Sequence, residues 1–222
     1  MDKLISLGLG VNSTAMTLLL YSLGHRFPIV FADTKGEWPE TYEFFNEFDE
    51  FLRRKWGVRI VVLTPPYDHA QFDSLEAFYL HYRMIPYRKF RICTDRFKIR
   101  PITKTYPNYI QLIGIDAGEK HRIQTKTTYS EIKEYPLIKM GLNREDCKRT
   151  IKQFGLPVPP KSGCFFCPFQ RKREFQRLQK QHPELWQRVL KLEQNSGKNL
   201  KDVGKPISEW IHTNQMDLFD WY

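Results

Sequence analysis

At 222 residues, 41% apolar and 14% aromatic, the chain is long enough for one compact core with an appended subdomain and too aromatic for a disordered protein. No run approaches the roughly 18 apolar residues of a membrane span, and MDKLISLGLG lacks a signal-peptide layout, so a cytoplasmic protein with no membrane partner is expected. The net charge of +10 favours polyanionic partners, and it is uneven: residues 139–205 hold 16 basic against 6 acidic residues, and residues 83–104 hold eight against one.

Four short apolar, β-branched runs read as strands: Leu4 to Leu9, Pro28 to Asp33, Arg59 to Thr64 and Tyr109 to Asp116. None alternates cleanly, which suits strands buried on both faces of a parallel sheet. Between the first two, Ser13 to Gly24 carries apolar residues at helical spacing, and Pro39 to Trp56 does the same between the second and third. The order implies an α/β fold, a Rossmann-like doubly wound and mostly parallel sheet. Beyond Gly141 the texture changes. Asn143 caps a helix to about Phe154, a proline-rich loop leads to Cys164-Phe165-Phe166-Cys167-Pro168, and basic helical sequence follows from Arg171 to about Gln194. Residues 1–140 are therefore expected to form a nucleotide-binding α/β domain and residues 141–222 a basic helical, Cys-containing extension. Trp186, Trp210 and Trp221 read as packing residues.

The first strand-to-helix loop holds Gly8, Gly10, Val11, Asn12, Ser13 and Thr14. Small residues there let the backbone approach an anion, and the helix N-terminus adds donors and a favourable dipole. The spacing is neither a Walker loop nor G-x-G-x-x-G. Asp33 ends the second strand, where it is placed to bond a nucleotide or hold magnesium. Four reduced Cys with one C-x-x-C point to a metal or redox site sooner than to disulfides. Cys164 and Cys167 are spaced to grip one centre, Cys93 and Cys147 would be brought in from other segments, with Cys147 alternatively a buried helical Cys, and four thiolates suit zinc or a 4Fe-4S cluster about equally.

The loop resembles the PP-loop of the ATP pyrophosphatases, usually Ser-Gly-Gly-x-Asp-Ser. Four further segments resemble, in order, the phosphoadenosine phosphosulfate reductase branch of that superfamily (adenine nucleotide alpha hydrolase-like). They are Asp33-Thr34 with Pro39-Glu40-Thr41, then Cys93 with Lys98 and Pro101, then Gly114 with Glu119 and Arg122, and finally Tyr135-Pro136-Leu137 with Gly163-Cys164-x-x-Cys167-Pro168-Phe169. The resemblance implies ATP or a related adenine nucleotide bound by the loop, Asp33, Thr34 and Gly114. It implies a catalytic set of Asp33, Lys98, Glu119 and Arg122, with Lys98, Arg100 and Arg122 neutralising charge on a phosphate. Iron–sulfur members carry Cys at the positions of Cys93, Cys164 and Cys167, which favours the cluster over zinc.

The departures are specific. Asn12 stands for the motif Asp, which weakens the case for Mg2+ at the loop; Asp116 stands where Arg is usual; and the sequence ends without the reductases' C-terminal Cys, against reductase activity in the strict sense. Cleavage of ATP at the α-phosphate is thus expected to activate an acceptor for sulfur from a sulfur donor. The basic C-terminal third suggests tRNA or DNA as that acceptor, a thiolation. Two rivals stay open: a sulfonucleotide reductase-like enzyme using an external thiol, and a non-catalytic nucleic-acid-binding module with a zinc knuckle.

Overall fold

The computed structural model describes residues 1–67, 71–123, 132–201 and 204–213, and Trp221 lies outside them. In chain order the elements are β1 (Lys3–Ser6), α1 (Val11–Ser22), β2 (Ile29–Ala32), α2 (Pro39–Trp56), β3 (Val61–Leu63), α3 (Leu75–His81) and α4 (Ile92–Thr94). A π-turn, Asp95–Ile99, leads into α5 (Arg100–Thr105), β4 (Ile110–Ile113) and a 3-10 segment, Ala117–Arg122. β5 (Ile132–Glu134), α6 (Pro136–Lys139), α7 (Arg144–Gln153), α8 (Lys172–Gln181), α9 (Pro183–Ser196) and α10 (Ile207–Trp210) complete the set. No helix among the described residues is long and apolar enough to cross a membrane.

The chain divides into two compact units, the first made of residues 1–33, 38–64 and 99–162, the second of 34–37, 65–98 and 163–222. The first unit carries a sheet of order β3-β2-β1-β4-β5 with every pairing parallel. Leu4, Val30 and Ala32 bury on one face with Ile102; Ile5, Ile29, Phe31 and Leu112 bury on the other with α1, α2 and α7. Because consecutive side chains of β1 and β2 both meet a core, these strands read as continuous apolar runs. This is the α/β architecture expected from the sequence.

Local signals set the helices. α2 begins with Pro39 and Glu40, ends with Arg53, Arg54 and Lys55, and stops at Gly57 in the left-handed conformation, so its charges oppose the helix dipole. Asn143 caps α7, accepting from the backbone N–H of Glu145 and Asp146, while the Asp146 carboxylate accepts from Asn143 N–H. α7 packs against α1. Residues 141–162, expected to open the extension, therefore belong to the first unit.

In the second unit α9 packs against α3, α8 and α10 around Phe175, Leu178, Trp186, Val189 and Trp210. The basic helix expected from Arg171 to Gln194 breaks into α8 and α9 at His182, because Pro183 lacks the N–H that would continue it. Arg188 pairs with the buried Glu76. Glu193, whose pKa burial raises, accepts from Leu200 N–H at 2.6 Å and Ile207 N–H at 2.9 Å, tying the segment after α9 to that helix.

Candidate active site

β1 and β4 are neighbours from which the sheet winds in opposite directions, so the loops that follow them meet at the carboxyl edge, where open α/β sheets take ligands. The loop after β1 turns at Leu9, which has a positive φ of 54°, and Gly10 N-caps α1. Ser13 organises the turn: its Oγ donates to Gly10 O at 3.2 Å and accepts from Gly8 N–H at 3.2 Å. Gly114, at the end of β4, lies so close that a Cβ there would sit 2.7 Å from both Ser13 N and Ser13 Cα. A Cβ on Gly10 would lie 3.0 Å from Ser162 Oγ. Only glycine fits at Gly114, and the result is a bare backbone cradle at a helix N-terminus.

Asn12 is buried against two carboxylates of the loop after β4. Its Nδ2 donates to Asp116 Oδ2 at 2.8 Å and to Glu119 Oε2 at 3.1 Å, while Oδ1 is buried with no hydrogen-bond partner. Asp116 also accepts from Gly118 N–H at 2.8 Å, and Arg122 pairs with Glu119 at 2.5 Å. The loop that lacks the motif Asp thus has carboxylates supplied from the far side. Asp33 accepts from Tyr42 Oη at 2.8 Å. Gly8, Gly10, Val11, Asn12, Ser13, Thr14, Asp33, Gly114, Glu119 and Arg122 all belong to this unit.

The second unit gathers the thiols. Segment 34–37 pairs with the Cys loop: Phe165 N–H donates to Gly36 O at 2.8 Å, and Glu37 bridges Cys164 in antiparallel fashion. The Glu37 carboxylate, 2% exposed, accepts from Gly163 N–H at 2.7 Å and pairs with Lys98 Nζ at 3.5 Å. Thr34 Oγ1 lies 3.3 Å from Cys164 Sγ. Burial lowers the pKa of Lys98, but the Glu37 carboxylate, joined by Cys164, Cys93 and Cys167 once they ionise, outweighs it, so the net shift is upward and the ammonium stays charged. The same three thiols surround Tyr79, whose pKa burial and Cys93 raise. Burial and Glu37 push Cys164 up, so the unliganded thiol is neutral at pH 7. Behind the loop, Pro168 O accepts from Arg88 Nε at 3.0 Å and Nη2 at 2.8 Å and from Lys201 Nζ at 3.0 Å; Lys201, 1% exposed, also donates to Gln170 O at 2.7 Å.

Cys147, expected as a fourth ligand, is 0% exposed in the apolar core of the first unit and is not among the thiols around Tyr79 and Lys98. Among the described residues, no group of three or more His, Cys, Asp or Glu could hold a metal ion. Lys98 and Thr34, expected at the nucleotide, lie in the second unit with the thiols. Sequence reasoning missed Glu37, Tyr42 and Tyr79. Glu37 had a signal, a carboxylate in a short loop beside a glycine; Tyr42 and Tyr79 look like any helical aromatic.

Comparison with known proteins identifies the family and the fold. The model of the phosphoadenosine phosphosulfate reductase domain matches residues 3–157. Two uncharacterized proteins of Methanocaldococcus jannaschii are similar: one is 25% identical over 204 residues, covering 82% of this chain and 46% of that protein. The other is 26% identical over 224 aligned positions, covering 90% and 44%. The chain thus spans less than half the length of these relatives. The phosphoadenylyl-sulfate reductase from Candida auris, solved as a phosphate complex, superposes with a TM-score of 0.51 at 14% identity, over 74% of this chain and 81% of that one, which shows a shared fold.

Proposed function

Because the chain belongs to the phosphoadenosine phosphosulfate reductase domain family, PP-loop enzymes that bind adenine nucleotides, we propose that it binds ATP at Gly8–Thr14 and cleaves it at the α-phosphate to prepare a nucleic acid for sulfur. The observation that carries this reading is the cradle itself. A glycine-lined helix N-terminus, with Gly114 too close to Ser13 to bear a side chain, suits a polyphosphate. In the reaction, a lone pair on an acceptor oxygen forms the bond to the α-phosphorus while the bond to the β-phosphate breaks, and pyrophosphate leaves with that electron pair. Sulfur then attacks the adenylated carbon and AMP departs. Backbone N–H groups of the loop hold the phosphates in line, and Arg122, set by Glu119, is a cation of this unit suited to the charge that develops, with Arg100 a second in the same unit. Asp116 and Glu119, joined through Asn12, are the carboxylates suited to a nucleotide-borne magnesium ion, and the orphaned Asn12 Oδ1 supports a further ligand there.

Cys93, Cys164 and Cys167 are the residues that would hold an iron–sulfur cluster. What supports this reading is the chemistry of the donors, three soft thiols that share the influence of one ammonium, Lys98, which would offset the charge of deprotonated ligands, although among the described residues they are not arranged to hold a single metal ion. Such a cluster, if held by these three residues, would supply a site for the sulfur that is transferred. Cys147 is outside this set.

The test is anaerobic incubation of the protein with α-labelled ATP, tRNA or DNA, and sulfide. Release of pyrophosphate and AMP, with a thionucleoside in the digest, is expected. Release of orthophosphate only, or none of these products, overturns the reading.

A further inference from the structure

We propose that residues 87–91 of the second unit, together with Phe169 and Lys198, form a stacking platform for a single-stranded nucleic acid. The inference rests on the nucleic-acid acceptor proposed above and names the surface and the form of strand it takes. Phe90 and Phe169 are 67% and 49% exposed, an unusual state for rings with no polar atom. Each ring stands among cations. Lys89 Nζ lies 6.0 Å from the centre of the Phe90 ring, and the guanidinium carbons of Arg88 and Arg91 lie 5.7 and 5.9 Å from that of Phe169. Tyr87 meets Phe90 edge-on, with centroids 6.2 Å apart, and Lys198 Nζ lies 5.6 Å from the Tyr87 ring.

Neither segment, 83–94 nor 168–173, contains an acidic residue. That combination selects the occupant. An apolar protein surface would use the rings and leave the charges unanswered; an acidic peptide would do the reverse. An unpaired nucleotide uses both, its base on a ring face and its phosphate on an ammonium or guanidinium. A duplex hides its base faces and reaches only the cations.

The platform is also rigid before binding. Arg88 donates two hydrogen bonds to Pro168 O, and Lys201 donates a third, so the backbone entering Phe169 is fixed and little ordering remains when a base stacks. Arg91 lies two residues before Cys93, and Phe169 two residues after Cys167. A base on Phe169 is therefore held beside the thiol loop, where sulfur transfer requires it.

The test is fluorescence anisotropy of the full chain with fluorescein-labelled dT12 and rU12, and with a 12-base-pair duplex, over a salt series. Single strands are expected to bind more tightly than the duplex. Phe90→Ala and Phe169→Ala should each weaken single-strand binding roughly tenfold with an unchanged melting temperature, and Phe90→Trp should restore it. Lys89→Gln with Arg91→Gln should flatten the salt slope by about 0.7 for each phosphate no longer neutralised. Equal affinity for duplex and single strand, or alanine variants that bind as the wild type does, overturns the platform and leaves the nucleic-acid acceptor standing. No association with any of the three probes at low salt overturns both.

Discussion

Gly114 and Cys147 show how single positions hold the first unit. At Gly114 the clash falls on backbone, Ser13 N and Cα at 2.7 Å, so the neighbour has no rotamer by which to yield. Gly114→Ala is expected to cost about 1 to 3 kcal/mol of stability and to weaken ATP binding, because the phosphate cradle must shift. Calorimetry with ATP and a thermal melt check both; an unchanged affinity would show that the loop is not the nucleotide site. At Cys147, burial, then Asp116 and Asp146, push the thiol up to about 11 from an ordinary value of 9.0. The folded-state value is raised, so the stability it contributes is whole below about pH 9 and lost as pH rises through about 11. Between those limits the wild type should lose on the order of 2 kcal/mol that Cys147→Ala does not lose. Urea melts of both proteins at pH 8 and pH 11 measure the difference, and parallel losses would refute it.

At the scale of elements, α7 offers the cleanest test. Asn143→Ala removes the acceptor of two backbone N–H groups and half of a capping box, at a cost of about 1 kcal/mol. For a chain of this size that is a fall of about 2 to 4 °C in Tm, read by circular dichroism. This helix was legible in the sequence because its signals are local, a cap at Asn143 and prolines beyond Phe154. β1, β2 and β4 were legible because their apolar runs are largely buried; β3 was legible from its β-branched run alone, since Val61 and Val62 are exposed rather than buried on both faces as its sequence suggested. β5 was not, since Ile132-Lys133-Glu134 is three residues long, with Ile132 exposed, and it exists only by pairing with β4. The first strand was read three residues too long because Leu7 and Leu9 are as apolar as Leu4, although Leu9 already turns with positive φ. In the site, the loop and the C-x-x-C pair were legible as contiguous motifs. The links from Asn12 to Asp116 and from Glu37 to Gly163 join residues more than a hundred positions apart, and no local pattern encodes them.

For the whole molecule, the division into units is not a cut in the chain. Each unit is assembled from three separate segments, and the texture change at Gly141 coincides with no boundary between them. A fragment of residues 1–140 would lose α7 and uncover the face of α1 on which Cys147 and Ile151 pack. It should therefore unfold without a cooperative transition, with native-like far-ultraviolet but flat near-ultraviolet circular dichroism. A sharp two-state melt of that fragment would show that the sheet and its first two helices suffice.

The latch behind the thiol loop has a kinetic consequence. Lys201 gives its ammonium to Pro168 O and Gln170 O and lies 4.9 Å from the centre of the Trp210 ring, so an acylating reagent reaches it only when this corner opens. Exposed lysines such as Lys89 and Lys198 react at once, whereas labelling at Lys201 waits on the opening equilibrium. Timed acetylation followed by peptide mass spectrometry thus turns one lysine into a clock for the breathing of the Cys164–Cys167 loop. Because the acetylated side chain can no longer supply the ammonium, each opening that is caught also leaves the latch undone.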